Sequence, residues 1–233
     1  MNVLALDTSE ARGSVCLLRG SETLAGQAHD TTADYSEWLL PAVDEVLRAS
    51  GVRIQDVDLL AVATGPGSFT GLRVGLTTVK AWAEVYRKPI VGVSRLEAIA
   101  RLQPAPHRFV APFYDAQRGQ LFGALYQFHS GRLARIEDEL VIAPDDFLDW
   151  VARHSHGEPV SWLSLDPVLL TSLPIWPNRL ECGDTMTRCA PELAPAIARL
   201  ASERAQAGSF SDPFELDANY VRRSDAEIFW KGR

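Results

Sequence analysis

Both halves of the chain begin with the same pattern: an apolar strand that ends in an aspartate, a polar turn, and a second apolar strand. The pattern reads LALDTSEARGSVCLL from Leu4 and APFYDAQRGQLFGALY from Ala111. Apolar runs bounded by turn residues are typical of strands, so the repeat predicts a duplicated fold. The Pro-rich segment QPAPH at 103–107 marks the boundary. The predicted domains are residues 1–104 and 105–233, with the terminal helix and tail of the second able to pack back on the first.

The first half continues as alternating strands and helices. DLLAVAT is apolar throughout, as in strands buried on both faces, and PIVGVS is a further strand. Helices are predicted at about 35–50, with Gly51 as the C-cap, and at about 70–86. Pro41 either kinks the first helix or marks its start. This alternation predicts parallel strands and an α/β class. In the second half, LARIEDELVIA is predicted as one strand.

Composition and charge exclude several classes of protein. The formal net charge of -7 argues against a chain whose main task is to bind nucleic acid through its phosphates. No apolar run approaches the roughly 18 residues of a membrane span, and the first residues do not resemble a signal peptide. Cys16, Cys182 and Cys189 lack metal-site spacing, which is typical of reduced thiols. We therefore expect a soluble, cytoplasmic protein with no membrane partner.

The turn Gly65-Pro66-Gly67 raises the question of phosphate binding. No Gly-Lys-Ser/Thr follows it, and Gly71 comes one residue too late for a dinucleotide fingerprint. An anion could still bind at the start of the following helix, with Ser68 or Thr70 as the cap. The alternative, which we favour, is a tight strand-to-helix turn in which Gly71 and Gly75 allow close packing.

The helix after this turn is apolar on two sides. One stripe is Leu72, Leu76, Val79 and Ala83, and the other is Val74, Thr78, Ala81 and Val85. One stripe is expected to cover the sheet. The other meets the preceding helix, which is also apolar around much of its surface, or is exposed for docking.

The two strand-ending aspartates are candidates for binding a metal-bound water or a phosphate. Together with their neighbours they define a candidate vestigial nucleotide pocket: Asp7, Thr8, Ser9, Asp115 and Arg118. The alternative is that each aspartate accepts hydrogen bonds from turn amides, which is common. The five histidines show no metal-ligand spacing, and no nucleophile elbow is present.

The chain resembles the TsaB (YeaZ) family, the bacterial partners and distant paralogues of the TsaD enzymes. The resemblance rests on VLALDTSEARGSVCLL, GPGSFTGLRVGLTTVKAWA and PIVGVSRLEAIA, with YDAQRGQLFGALY and ANYVRR in support. It covers nearly all of residues 1–130 and the tail, and is weak between about 145 and 210. It implies a two-lobed, actin-like, ribonuclease H-like duplicated fold, and a role in making threonylcarbamoyladenosine beside the tRNA anticodon.

The resemblance also implies that this chain is not the enzyme. TsaD transfers a threonylcarbamoyl group to the tRNA adenosine with a metal, and its sequences carry His-x-x-x-His after the glycine motif. Here SRLEAIA places Arg95 and Ile99 at those positions, and neither is a usual metal ligand. We therefore expect a non-catalytic subunit with no metal site and no cofactor, apart from weak or vestigial ATP/Mg binding.

The partners that the resemblance implies are TsaD, TsaE and, when TsaD is absent, a second copy of the chain. Transfer RNA is reached indirectly, through the complex. The predicted contact face lies on the two helices and consists of Leu39, Val43, Val46, Leu72, Gly75, Leu76 and Val79. Replacing Gly75 or Leu76 by Arg is expected to abolish co-elution with TsaD and to leave the fold intact.

Three other functions stay open. The first is an actin-like ATPase or small-molecule kinase that uses Asp7, Asp115 and the glycine turn, although no adenosine-binding motif is evident. The second is a peptidase, against which the missing histidine pair and nucleophile elbow count. The third is a direct tRNA-binding module. The acidic charge argues against it as the main role, although Arg222, Arg223 and Lys231 could add a contact.

Overall fold

The computed structural model describes residues 1–29, 33–102, 106–129 and 132–221. The chain divides into two compact units, one of residues 1–98 with the chain from Pro191 onward, and one of residues 99–190. The basic tail residues Arg222, Arg223 and Lys231 lie outside the described residues.

The first unit begins with a β-meander and continues with parallel strands and helices. Its elements are β1 (Asn2–Asp7), β2 (Ser14–Arg19), β3 (Glu22–Ala28), α1 (Tyr35–Ser50), a 3₁₀ turn (Ile54–Asp56), β4 (Leu59–Gly65), α2 (Phe69–Tyr86), β5 (Ile90–Ser94) and the short helix α3 (Arg95–Ala100). Within the described residues the strand order is β3-β2-β1-β4-β5. β1 is antiparallel to β2 and parallel to β4, and β4 is parallel to β5.

The second unit repeats this arrangement. Its elements are β6 (Phe109–Gln117), β7 (Gln120–Gly123), β8 (Tyr126–His129), β9 (Arg132–Arg135), β10 (Leu140–Ile142), α4 (Pro144–His154), β11 (Val160–Ser164), α5 (Val168–Thr171), α6 (Trp176–Glu181) and β12 (Thr185–Arg188). The order β10-β7-β6-β11-β12, to which β8 and β9 are added, has the same strand polarities as the first sheet. The predicted duplication is confirmed.

The segment LARIEDELVIA forms two strands, which corrects the prediction of one. β9 pairs with β8, whereas β10 pairs with β7. Between them lie three consecutive acidic residues, 137–139, which are unfavourable in strands. Arg135 pairs with two of these residues, at 3.3 Å from Asp138 and 3.8 Å from Glu139. The acidic turn therefore lets the chain leave one strand partner and join another.

Two layers of helices cover the first sheet. Along β2, Val15 and Leu17 belong to the core beneath α1 and α2. Because side chains alternate along a strand, Cys16 points to the other face. That face is covered by a final helix, α7 (Ala194–Gln206), which contacts β1, β2, β4 and β5. The start of α7 is fixed by the Ala194 N–H, which donates to Ser14 Oγ at 3.0 Å. The terminal helix thus packs in the first unit.

The bounds of the first two helices follow local signals in the sequence. Gly51 ends α1 in the left-handed region, with φ 64°, as a C-cap glycine does. Pro41 lies inside α1, so it does not mark the start of the helix. The predicted helix at about 70–86 is confirmed as α2, with Ser68 as its N-cap.

Candidate functional site

The glycine turn brings the start of α2 against the loop that follows β1. The Ser68 N–H donates to the carbonyl of Ser9 at 2.7 Å, and Thr8 Oγ1 donates to the carbonyl of Gly71 at 2.7 Å. A Cβ on Gly67 would lie 2.2 Å from Ser9 O, and one on Gly71 would lie 2.0 Å from Thr8 O. These positions therefore need glycine because backbone approaches backbone. The contacts support the tight-turn interpretation, and protein atoms take the space beside the helix start.

Asp7, at the end of β1, is fully buried and its carboxylate is bound by the protein itself. One oxygen, Oδ1, accepts from the Ser9 N–H at 3.0 Å and from the Ser9 hydroxyl. The other, Oδ2, faces the Nε of Arg95 at 3.3 Å, and both side chains are at most 1% exposed. A buried carboxylate is costly unless it is paired and hydrogen-bonded, and here both conditions are met.

A divalent cation does not fit this site as it is built. Mg²⁺ binds oxygen ligands and keeps several waters. Arg95, the first residue of α3, instead brings a permanent positive charge to the carboxylate. Ile99, one turn further on, is apolar and buried. Among the described residues, no group of three histidine, cysteine, aspartate or glutamate side chains is placed to hold a metal ion.

Asp115 uses its carboxylate in the second unit much as Asp7 does in the first. Its Oδ1 accepts from the Gln117 N–H at 2.7 Å, two residues on, and its Oδ2 accepts from Gln117 Nε2 at 2.9 Å. Gln117 and Arg118 both have φ near +60°, which forms the tight turn before β7. Both aspartates thus accept from the backbone N–H two residues later, as in Asx-turns.

The seven residues predicted as the partner face are buried in the first unit, which corrects the prediction that they form an exposed face, although Leu39 also lines the groove described below. None of the six apolar side chains is more than 4% exposed, and Gly75 is also buried: Leu39, Val43, Val46, Leu72, Gly75, Leu76 and Val79. A Cβ on Gly75 would lie 2.5 Å from Thr8 Oγ1. Arg at position 75 or 76 would therefore disrupt the fold, so neither substitution can test a surface.

The outward sides of the same two helices form a groove of about 490 Å³, which we call the α1–α2 groove. It is lined by Tyr35, Ser36, Leu39, Leu40, Phe69, Thr70, Arg73, Val74, Thr77 and Thr78. Leu40 is 56% exposed and Phe69 is 40% exposed, and both line the same groove, so they form an apolar patch rather than scattered single side chains. The second stripe of α2 contributes the half-buried Val74 and Thr78, whereas Ala81 and Val85 are exposed beyond the groove.

Tyr35 lines the groove and connects it to the loop after β1. Its hydroxyl donates to the carbonyl of Glu10, and its ring lies 4.4 Å from that of His29 and 5.8 Å from that of Trp38. Burial raises the pKa of the Tyr35 phenol, and the negative charge of Asp7 raises it further. Tyr35 is therefore a neutral, fixed wall of the groove. Its position in the fold is not evident from the sequence pattern, which marks only a helix start.

Comparisons with known proteins place the chain among tRNA-modification proteins. Residues 28–161 match the family described as TsaD: tRNA N6-adenosine threonylcarbamoyltransferase. A relative from Bacillus subtilis, named tRNA threonylcarbamoyladenosine biosynthesis protein TsaB, is 32% identical over 169 residues, which cover 72% of this chain and 73% of the relative. No helix within the described residues is both long and apolar enough to span a membrane.

Solved structures show the fold. YeaZ from Pseudomonas aeruginosa aligns with a TM-score of 0.73 and 24% identity, over 94% of this chain and 99% of that one. A ROK hexokinase from Thermus thermophilus aligns with a TM-score of 0.53 and 12% identity, over 88% of this chain and all of the other. The duplicated α/β arrangement is therefore the actin-like fold shared by these proteins.

Proposed function

The chain belongs to the TsaB family of tRNA threonylcarbamoyladenosine biosynthesis proteins, and from that premise we propose that it is a non-catalytic subunit that binds and activates a TsaD-type transferase. The docking site is the α1–α2 groove. The observation that carries this proposal is the exposure of Leu40 and Phe69 beside the half-buried Val74 on the outward side of two adjacent helices. Apolar surface of this kind, rimmed by hydroxyl groups, is typical of a protein-binding site.

The partner follows from the relationship between the two families. The match to the TsaD family spans residues 28–161, which include both α1 and α2. A transferase related over this region carries two equivalent helices. Equivalent helices of two related chains can pack against each other about a pseudo-twofold axis. The paralogue is therefore the partner that we propose for the groove. A second copy of this chain has the same helices, so the homodimer uses the groove as well.

The proposal that the chain is non-catalytic rests on Asp7 and Arg95. The Arg95 guanidinium provides the cationic partner of the Asp7 carboxylate at 3.3 Å, inside the fold. A metal ion at this carboxylate would face that fixed positive charge at close range. We therefore propose that this site carries no metal or Mg-nucleotide, and that the chemistry of the complex belongs to the transferase subunit.

The remaining partners are proposed from the family resemblance. TsaE is the further protein partner, and tRNA is reached through the complex rather than gripped by this chain. The formal net charge of -7 supports indirect tRNA binding, because a net negative chain gains little affinity for tRNA from contacts with its phosphates.

The groove is tested by size-exclusion chromatography of the chain mixed with the TsaD of the same organism. Leu40→Arg places a charge in the groove at a position that is already 56% exposed, so the fold is kept. We expect this variant to lose co-elution with TsaD, because a desolvated, unpaired charge opposes docking. Val85→Arg is the matched control, since Val85 is on α2, is 70% exposed and does not line the groove.

The control variant is expected to co-elute as the parent chain does. Metal analysis of the co-eluting fraction should find metal in proportion to TsaD alone. If Leu40→Arg and Val85→Arg both co-elute as well as the parent chain, the groove is not the docking site and the proposed function loses its structural basis.

A further inference from the structure

The chain after α7 returns along the first unit as a strap, which we define as residues 209–221. Two backbone hydrogen bonds fix its course over the parallel strands. The Ser211 N–H donates to the carbonyl of Ile90 on β5 at 2.8 Å. The Asn219 N–H donates to the carbonyl of Thr64 on β4 at 2.7 Å. The strap is therefore tied to the sheet at both ends.

Side chains add to this attachment. Leu216 packs against the core of the first unit, and Ala218 is buried in it. Gly92 on β5 makes room for the strap, because a Cβ there would lie 2.6 Å from Leu216 Cδ1. The Gly92 N–H also donates to Ser211 Oγ at 3.0 Å. The strap is thus packed against the first unit as far as Ala218.

Beyond Ala218 the strap reaches the rim of the α1–α2 groove. The ring of Tyr220 lies 5.1 Å from that of Phe69, and Arg73 Nε donates to the Tyr220 hydroxyl at 3.2 Å. The guanidinium of Arg73 lies 3.7 Å from the centre of the Phe69 ring. These three residues form a mutually contacting group, which we call the rim cluster. Phe69 and Arg73 both line the groove, whereas Tyr220 comes from the strap.

We infer that Tyr220 is a positioning residue of the docking surface, and that the strap is the third element of that surface beside α1 and α2. The inference rests on the proposed function and names the TsaD-type transferase as the occupant. Arg73 is an exposed side chain with a large rotamer entropy, which binding would have to restrict. Tyr220 and Phe69 already restrict the Arg73 side chain, so this side chain loses less conformational entropy when the partner binds.

The test measures the affinity of the full chain for the TsaD of the same organism by isothermal titration calorimetry. Tyr220→Ala removes both the ring contact and the hydroxyl acceptor, and we expect it to weaken binding roughly tenfold. Tyr220→Phe keeps the ring on Phe69 but removes the hydroxyl that accepts from Arg73, so we expect a loss of affinity between that of the parent chain and that of Tyr220→Ala. Phe214→Ala is the matched control, because Phe214 is on the same strap and is 92% exposed. Thermal unfolding of each variant checks that the fold is unchanged.

Two results would overturn the inference. One is a Tyr220→Ala variant that binds as tightly as the parent chain while Leu40→Arg abolishes binding, which leaves the proposed function standing. The other is an equal loss in Tyr220→Ala and Phe214→Ala, which assigns the effect to the strap in general. Unimpaired binding by Leu40→Arg is the separate result that removes the proposed function itself.

Discussion

At the scale of single residues, the side chain with the widest consequences is Arg95. It follows β5 directly, is 1% exposed, and meets an aspartate that is 88 positions away in the sequence. Its charge is permanent, because a guanidinium does not lose its proton inside a protein. The Asp7 carboxylate depends on it, since a buried anion without a counter-charge is strongly disfavoured. Arg95 is thus the residue that balances the buried negative charge at the end of β1.

Removing this charge is expected to cost stability. Arg95→Met leaves the Asp7 carboxylate buried without its cation, which should lower the free energy of unfolding by roughly 3–5 kcal/mol. Urea denaturation followed by circular dichroism measures the change. The double variant Asp7→Asn with Arg95→Met should recover part of the loss, because the uncompensated charge is gone.

A surface ion pair serves as the control for that experiment. Arg53 and Asp56 lie 2.8 Å apart, with side chains that are 77% and 48% exposed. Arg53→Met should not shift the urea midpoint measurably, since exposed pairs contribute little. An Arg95→Met variant as stable as the Arg53→Met variant would show that the buried pair does not stabilise the fold.

At the scale of elements, the position of α2 is set by the contact of its first turns with the loop after β1. Its glycines at 71 and 75 allow the helix to rest on Thr8, so that the helix and the loop after β1 are in direct contact. The inner side of α2 is therefore supported by the loop that directly follows Asp7.

The close approach of α2 to this loop gives a second stability prediction. Gly71→Ala puts a methyl group 2.0 Å from a backbone oxygen, so the helix must move, and we expect a loss of at least about 2 kcal/mol in unfolding free energy. Gly26→Ala is the control, because its nearest neighbour, Val15 O, would be 3.4 Å from the new methyl. Urea midpoints compare the two variants. Equal midpoints would mean that the contact between α2 and the loop is not tight.

Sequence patterns predicted the elements well, but the seven residues that they assigned to an exposed partner face are buried. The end of α1 at Gly51, the bounds of α2 and the repeated strand–aspartate–turn starts are encoded locally. The choice between the two apolar stripes of α2 is not, because periodicity does not say which stripe faces the sheet. The stripe that contains Leu72 and Leu76 is the one that packs in the core. Tyr220 reaches Phe69 only through the path of the strap, which no local pattern indicates.

At the scale of the whole molecule, the α1–α2 groove is the docking site that we propose for two alternative occupants. We propose that a second copy of the chain and the TsaD-type transferase both use it, so their binding is mutually exclusive. Analytical ultracentrifugation of the chain alone should show a monomer–dimer equilibrium that Leu40→Arg shifts to monomer. Adding TsaD should deplete the homodimer in proportion to the heterodimer formed. A homodimer that persists at saturating TsaD would contradict the shared groove.

The first unit is discontinuous along the chain, and this has a consequence for the order of folding. Its sheet is complete by Ser94, yet the helix that covers the face of Cys16 is α7, which begins at Ala194. The ribosome synthesises the whole of residues 99–190 between these two parts. During synthesis, that apolar face of the sheet stays uncovered until α7 has been made, which happens after the second unit. The first unit therefore finishes folding after the second has emerged, through contacts between residues far apart in sequence, and this is a slow class of folding step.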